Sequence, residues 1–277
     1  MPTSTRAQFV ISIDLEMSWG SVHHGRPHDD SPYRAEREIV ADVLSLMERH
    51  RISATWAIVG HLFLAECSSR DGHPHPEVTP PQYPWLQMAW YDLDPTSDVD
   101  KAPTWYGPDL VAAVRNCSQP QEVGSHSFGH LIAGDPACSA VAFRTDTAAA
   151  KAVALAEGID LRSYVYPRNS IGHLDELAAA GFHAYRGNTP ERFPGVTGWR
   201  RKATAALDTL YPLPSATVHA VRRGDLVDVP QTYLFDPAST TADRFGTKLW
   251  SRLVRRRLRH AVRTGSLFHL WFHTHNF

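Results

Sequence analysis

Cysteine is scarce in this chain. There are three in 277 residues, Cys67, Cys117 and Cys138. An odd number cannot pair fully within one chain, and the three share no metal-like spacing, so they read as reduced thiols of a reducing compartment. A surplus of one charge is also missing. Lys and Arg total 28 against 29 Asp and Glu, a formal net charge of −1. No overall field therefore draws the chain to nucleic acid or to an anionic membrane. No run approaches the roughly 18 apolar residues of a membrane span, so no integral membrane segment is expected. The N-terminal MPTSTRAQFVISID has one basic residue and no apolar stretch ahead of the first strand, so it does not read as a secretory signal, and a cytoplasmic protein is expected. Internal repeats, low-complexity tracts and interdomain linkers are absent too. The expectation is one domain over residues 1–277. The chain stops directly after its last strand, where a barrel normally adds a helix, so the sequence reads as open to truncation at its C-terminus.

What is present is a core former with 43% hydrophobic and 10% aromatic residues, and strands alternating with helices. Apolar runs predict strands at Phe9–Asp14, Ala54–Gly60, Glu122–Ser125, Arg162–Tyr166, His183–Arg186, Leu226–Leu234 and Leu267–His273. Helical periodicity predicts helices at Arg34–His50, Asp109–Asn116, Ser139–Glu157, His173–Ala180 and Thr247–Thr264. Such alternation argues for a parallel sheet. With about seven strands, a TIM-like α/β barrel is favoured over an open doubly wound sheet. The segment from Asp71 to Pro108, rich in Pro, Asp and Trp, is long for a loop and is expected to bind substrate.

Four polar segments fall at strand ends, the face that carries active sites in α/β barrels. In the first, FVISI runs straight into Asp14-Leu15-Glu16. Carboxylates two apart share a side of a continuing strand, and they repel unless a cation or proton separates them. In the second, GSHSFGH, His126 and His130 are spaced to share one face of a helical turn and hold an ion. His24/His28 and His269/His273 repeat that spacing, and position at a strand end distinguishes His126/His130. The third, Tyr166-Pro167-Arg168-Asn169, offers a guanidinium that could pair with a carboxylate. The fourth, FHLWFHTHN, brings His269, His273 and His275 to one face. A histidine suits acid work at neutral pH, and His269, inside the strand, reads as a core histidine.

These segments resemble the polysaccharide deacetylase family, carbohydrate esterase family 4, also called the NodB-homology domain. The likeness runs from Phe9 to Asn276 through SIDLEMSWG, EVGSHSFGH, YPRNS and FHLWFHTHN. GSHSFGH, matching the family's His-Ser/Thr-x-x-His pattern, is the most specific. The resemblance implies a single distorted (β/α)7 barrel and a divalent metal, most often Zn2+ with Co2+, Mn2+ or Fe2+ as substitutes. It also implies hydrolysis of N- or O-acetyl groups on a sugar or glycan, lipid-linked precursors included. Carried over by position, Asp14 is the catalytic base, Glu16, His126 and His130 hold the metal, Arg168 pairs with the base, and His273 is the acid. Trp19, Asn169 and His275 are expected to bind substrate. Two departures stand out. Most members have adjacent aspartates, whereas this chain has the spaced Asp-x-Glu of a subgroup. In the family's third motif Arg precedes Pro, and here it follows.

Two rival functions share these residues: a metal-dependent amidase on a cyclic imide or formamide, and a non-catalytic carbohydrate-binding barrel. The helix at 247–264 is strongly basic on one side and apolar on the other. It reads as a docked barrel helix with a solvated face, with contact to an anionic lipid headgroup or a pyrophosphate-linked sugar as the sharper alternative.

Overall fold

The computed structural model describes residues 6–25, 30–189, 217–235 and 244–277. Its strands are β1 (Gln8–Leu15), β2 (Thr55–Ile58), β3 (Glu122–Ser125), β4 (Ser163–Val165), β5 (Ala184–Gly187), β6 (Val221–Arg223), β7 (Leu226–Pro230), β8 (Tyr233–Leu234) and β9 (Leu267–His273). They form one sheet in the order β6-β7-β5-β4-β3-β2-β1-β9-β8. Every pairing is parallel except β6 with β7.

The two ends of this order meet in one stretch of chain. Residues 226–234 pair with β5 through β7 and with β9 through β8. The changeover occurs at consecutive residues: Gln231 N–H donates to Gly187 O at 2.8 Å, and Thr232 N–H donates to His269 O at 3.1 Å. Seven parallel strands therefore follow one another around a barrel in chain order, distorted where one bent segment serves two neighbours. The short antiparallel β6, which the sequence did not suggest, lies beside the first half of that segment.

The helices are α1 (Glu36–His50), α2 (Pro108–Arg115), α3 (Ala140–Ala156), α4 (Leu174–Ala179) and α5 (Arg244–Thr264). α1 buries Val40, Val43, Leu44 and Met47, one stripe of a 3.6-residue period. It ends at Arg51, whose left-handed backbone lets its N–H reach the Met47 and Glu48 carbonyls. α3 starts where the Ser139 hydroxyl accepts the Ala142 N–H. The basic helix α5 docks on β9 and β1, as the plain reading of its stripe expects. Among the described residues, no helix is long and apolar enough to cross a membrane.

The long loop departs from expectation. Val78, Tyr83, Trp90, Tyr91, Trp105 and Tyr106 are buried in the core, so this segment is largely packing material. The cavity described below takes none of its lining from residues 71–108.

Candidate active site

Register sets the site. β1 lies between β2 and β9, with Asp14 level with His273 on one side and Ala57 on the other. Ser125 is level with Ile58, and Arg186 with Val165. The polar groups thus gather at the C-terminal rim of the barrel. They line an open cavity of about 400 Å³ that includes Asp14, Glu16, His130, Arg186, Trp271 and His273.

Glu16 is the hub of three imidazoles. Its Oε1 lies 2.8 Å from His126 Nε2, 3.2 Å from His130 Nε2 and 3.5 Å from His273 Nε2. The carboxylate is buried, and a Cβ at Gly20 would collide with its Oε2, so any larger residue there would push the carboxylate aside. His126 Nδ1 donates to Val165 O at 2.8 Å, which turns Nε2 toward the carboxylate. Burial lowers the proton affinity of His130 below that of an ordinary imidazole, against the pull of Glu16. Burial pushes the Glu16 carboxyl up, but His273, His130 and the hydrogen bonds from His126 and His130 outweigh it and hold it well below its usual range. A charged carboxylate oxygen and two imidazole nitrogens therefore converge on one point. One oxygen and two nitrogens is a ligand set for a catalytic divalent ion, and the residues fit such an ion.

The His-x-x-x-His segment is not a helical turn. His126 follows directly on β3, and the chain then loops with Ser127 and His130 in left-handed backbone, φ 68° and 60°. Buried Asp146 of α3 holds this loop, accepting from Ser127 Oγ at 2.9 Å, Phe128 N at 2.9 Å and Gly129 N at 3.1 Å. Burial raises its carboxyl to about 6, against those three donors.

Asp14 pairs with an arginine, but not the one expected. Arg186 grips it with both nitrogens, Nη1–Oδ1 and Nη2–Oδ2 each 2.6 Å. Arg168 sits in the tight turn after β4 at φ 54°, exposed on the rim of the cavity. Arg168 is exposed there, whereas Arg186 on β5 is buried in the barrel interior. Burial pushes the Asp14 carboxyl up, and the Arg186 guanidinium together with His126 and His273 more than reverses this, so the acid stays below its ordinary value. Arg186 also donates to Ser12 Oγ at 3.1 Å and Asn169 Oδ1 at 3.2 Å, and stacks 4.4 Å from the Trp271 ring.

His273 stands 3.6 Å from Asp14 Oδ2 and is part-exposed to the cavity. His269 is buried against Ser12 Oγ at 2.9 Å, and burial lowers its proton affinity to about 4, as befits a core histidine. Asn169 and His275 line the cavity. Trp19 does not. It is wholly buried, its indole N–H donating to Trp105 O at 3.2 Å, so it packs the core rather than meeting a ligand. Arg186 and the cavity residues Ser21, His23, His24 and Tyr33 were not singled out from sequence. An arginine closing the predicted strand His183–Arg186 was the one available signal for Arg186.

No protein-family profile and no curated protein sequence matches the chain. Solved structures do. A Mycobacterium smegmatis structure, whose polysaccharide deacetylase assignment is itself provisional, superposes with TM-score 0.58 at 13% identity, covering 99% of this chain and 79% of that one. The structure of Puue allantoinase gives TM-score 0.54 at 11% identity, covering 98% and 79%. At such identities the likeness establishes a shared barrel fold.

Proposed function

We propose that this chain is a metal-dependent hydrolase that removes acetyl groups from a carbohydrate. The observation that carries the reading is the convergence, on one open cavity, of a three-ligand set (Glu16, His126, His130) with an arginine-held carboxylate (Asp14) and an imidazole (His273). The ligand set favours zinc, which when bound polarises the scissile carbonyl and lowers the pKa of water.

The protein's own groups then divide the work. Asp14, kept charged by Arg186, takes a proton from the attacking water. Arg186 fixes the orientation of both Asp14 oxygens and leaves them unable to swing away. His273, beside Asp14 and open to the cavity, donates a proton to the departing amine or alcohol. Asn169, His275, Ser21 and Tyr33 offer hydrogen-bonding groups along the wall for sugar hydroxyls. Trp271 offers the aromatic wall, backed by Arg186.

The allantoinase likeness keeps a second reading, hydrolysis of a cyclic amide by the same residues. A non-catalytic sugar-binding barrel would not need a base, an acid and a ligand set together. The test is acetate release from a panel of acetylated sugars and glycans, run beside cyclic imides and ureides, with metal content measured in parallel. The deacetylase reading expects acetate release that a chelator abolishes and added metal restores. Turnover of cyclic amides alone would select the second reading. A metal-free protein that bound sugars without turnover would overturn both.

A further inference from the structure

Away from this cavity, His61, Cys67, His75 and Asp94 form a second cluster. We propose that they hold a divalent ion, zinc by donor type, in a structural site that fastens the 64–106 segment to the barrel. His61 lies in the turn after β2, and the other three come from the long segment. Their ligand atoms all lie within 4.8 Å of one another. Asp94 Oδ2 is 2.8 Å from His75 Nε2, 3.2 Å from His61 Nε2 and 3.6 Å from Cys67 Sγ. Ligands around tetrahedral zinc, at bond lengths of about 2.0–2.3 Å, stand roughly 3.3–3.7 Å apart. The cluster has the size of a coordination shell.

The surroundings separate an ion site from a knot of hydrogen bonds. His61 Nδ1 donates to Trp105 O at 3.2 Å, so its Nε2 is a lone pair. That Nε2 is fully buried, aimed into the cluster and without a hydrogen-bond partner. His75 turns Nε2 inward and Nδ1 outward, 3.5 Å from the exposed Glu77 Oε1. Asp94 Oδ1 accepts the Thr96 N–H at 2.9 Å. Tyr106 OH accepts the Ser97 N–H at 2.8 Å, which frees its own proton to point at Cys67 Sγ, 3.2 Å away. A thiolate wants such a donor. His61, Asp94 and Cys67 thus each have an outer partner that orients them. Four protein donors leave no open position, the mark of a structural rather than a catalytic ion, and thiolate with imidazole selects zinc over magnesium or calcium.

The fold supplies a reason for a fastening. Between Leu64 and Gly107 the described backbone has no helix and no named strand, only isolated bridges at Glu66–Asp98 and Arg70–His73. Yet this segment braces the hydrolytic site: Trp90 Nε1 donates to Gly129 O at 2.7 Å, next to His130.

Cobalt distinguishes the two sites. The set Glu16, His126 and His130 contains no sulfur, so a thiolate-to-Co2+ charge-transfer band in the near ultraviolet can arise only at a cysteine ligand. Untagged protein stripped of metal and reloaded with Co2+ alone should show this band. Elemental analysis should give two ions per chain. The double variant His126→Ala, His130→Ala should keep the band and one ion. Cys67→Ser should lose the band, and Asp94→Asn should lose most of its second ion, with folding checked by circular dichroism. If Cys67→Ser unfolds, the double variant alone decides. A cobalt-loaded wild type without the band, a double variant that binds no ion, or a folded Cys67→Ser that keeps the band would each overturn the proposal. One ion accompanied by the band would leave this site standing and remove the hydrolytic one.

Discussion

Replacing Arg186 with methionine tests the electrostatic frame of the site. Arg186 and Asp14 form a buried pair, with side chains 2% and 1% exposed. Removing one partner of such a pair typically costs about 3–5 kcal/mol, because the remaining charge is stranded in the interior. Methionine refills much of the arginine stem, so most of the loss is electrostatic, with the stacking on Trp271 contributing about 0.5–2 kcal/mol of it. For a chain of this length the fall in melting temperature should be on the order of 10 °C. Kinetics give a second readout. Without the guanidinium, burial pushes the Asp14 carboxyl up against only His126 and His273, so the acid limb of the kcat/KM profile should move to higher pH. The sign for stability runs the other way along the axis. A depressed carboxyl contributes stability that is complete above its unfolded value and lost as pH falls through the folded one. Arg186→Met should flatten that acid-side loss. Urea melts and pH–rate profiles should be collected alongside Arg168→Ala, whose exposed side chain should matter by no more than about 0.5 kcal/mol. A silent Arg186→Met, or an Arg168→Ala that shifts the acid limb instead, would refute the reasoning.

Asp14→Asn should retain metal and lose most activity, whereas Glu16→Gln should weaken metal binding, with partial recovery in excess metal; the reverse pattern in elemental analysis would exchange the two roles. His273→Ala should lower turnover by roughly two to four orders of magnitude without releasing metal, and a greater loss in His275→Ala would move the acid to that neighbour. Glu36, buried against Thr274, has its carboxyl raised to about 8 by burial. Its neutral form is stable in the fold below about 4.5, and stability drains away as pH rises toward 8. At about 1.4 kcal/mol per pH unit, the gap caps the loss at about 5 kcal/mol. Glu36→Gln should therefore raise the melting temperature at pH 8 and leave it nearly unchanged at pH 4; equal effects at both would contradict the burial argument.

Much of this was legible because strand ends announce themselves: an apolar run that stops at Asp14 or at His273, and a short strand that stops just before His126, mark the rim of a barrel. What one sequence cannot show is register. Arg186 and Arg168 both follow short strands, and only the pairing of β4 with β5 reveals which guanidinium reaches inward. The likeness of YPRN to a known motif pointed to the wrong one. Spacing misled in the His126–His130 segment as well, because a four-residue interval fits a helical turn and also a loop held by a carboxylate twenty residues away in α3. Trp19 follows the acid pair closely in sequence, yet the turn after β1 folds it into the core. The second cluster gave no signal at all. Its ligands are scattered over a segment without periodicity, and Cys67 has no nearby cysteine or histidine at a recognisable interval.

The seam at Gln231 and Thr232 implies an order of assembly. Glu16, His126 and His130 all belong to the first half of the chain, and β1, β2 and β3 can pair in sequence as they emerge. Arg186 and His273 come from the second half, and His273 reaches Asp14 only when β9 pairs with β1 across nearly the full length of the chain. Contacts so distant in sequence form late. On the proposed function, a nascent or partly folded chain can thus collect an ion while Asp14 still lacks its guanidinium and His273. Hydrolysis would then wait for the barrel to shut, and activity would double as a report that the last strand has arrived.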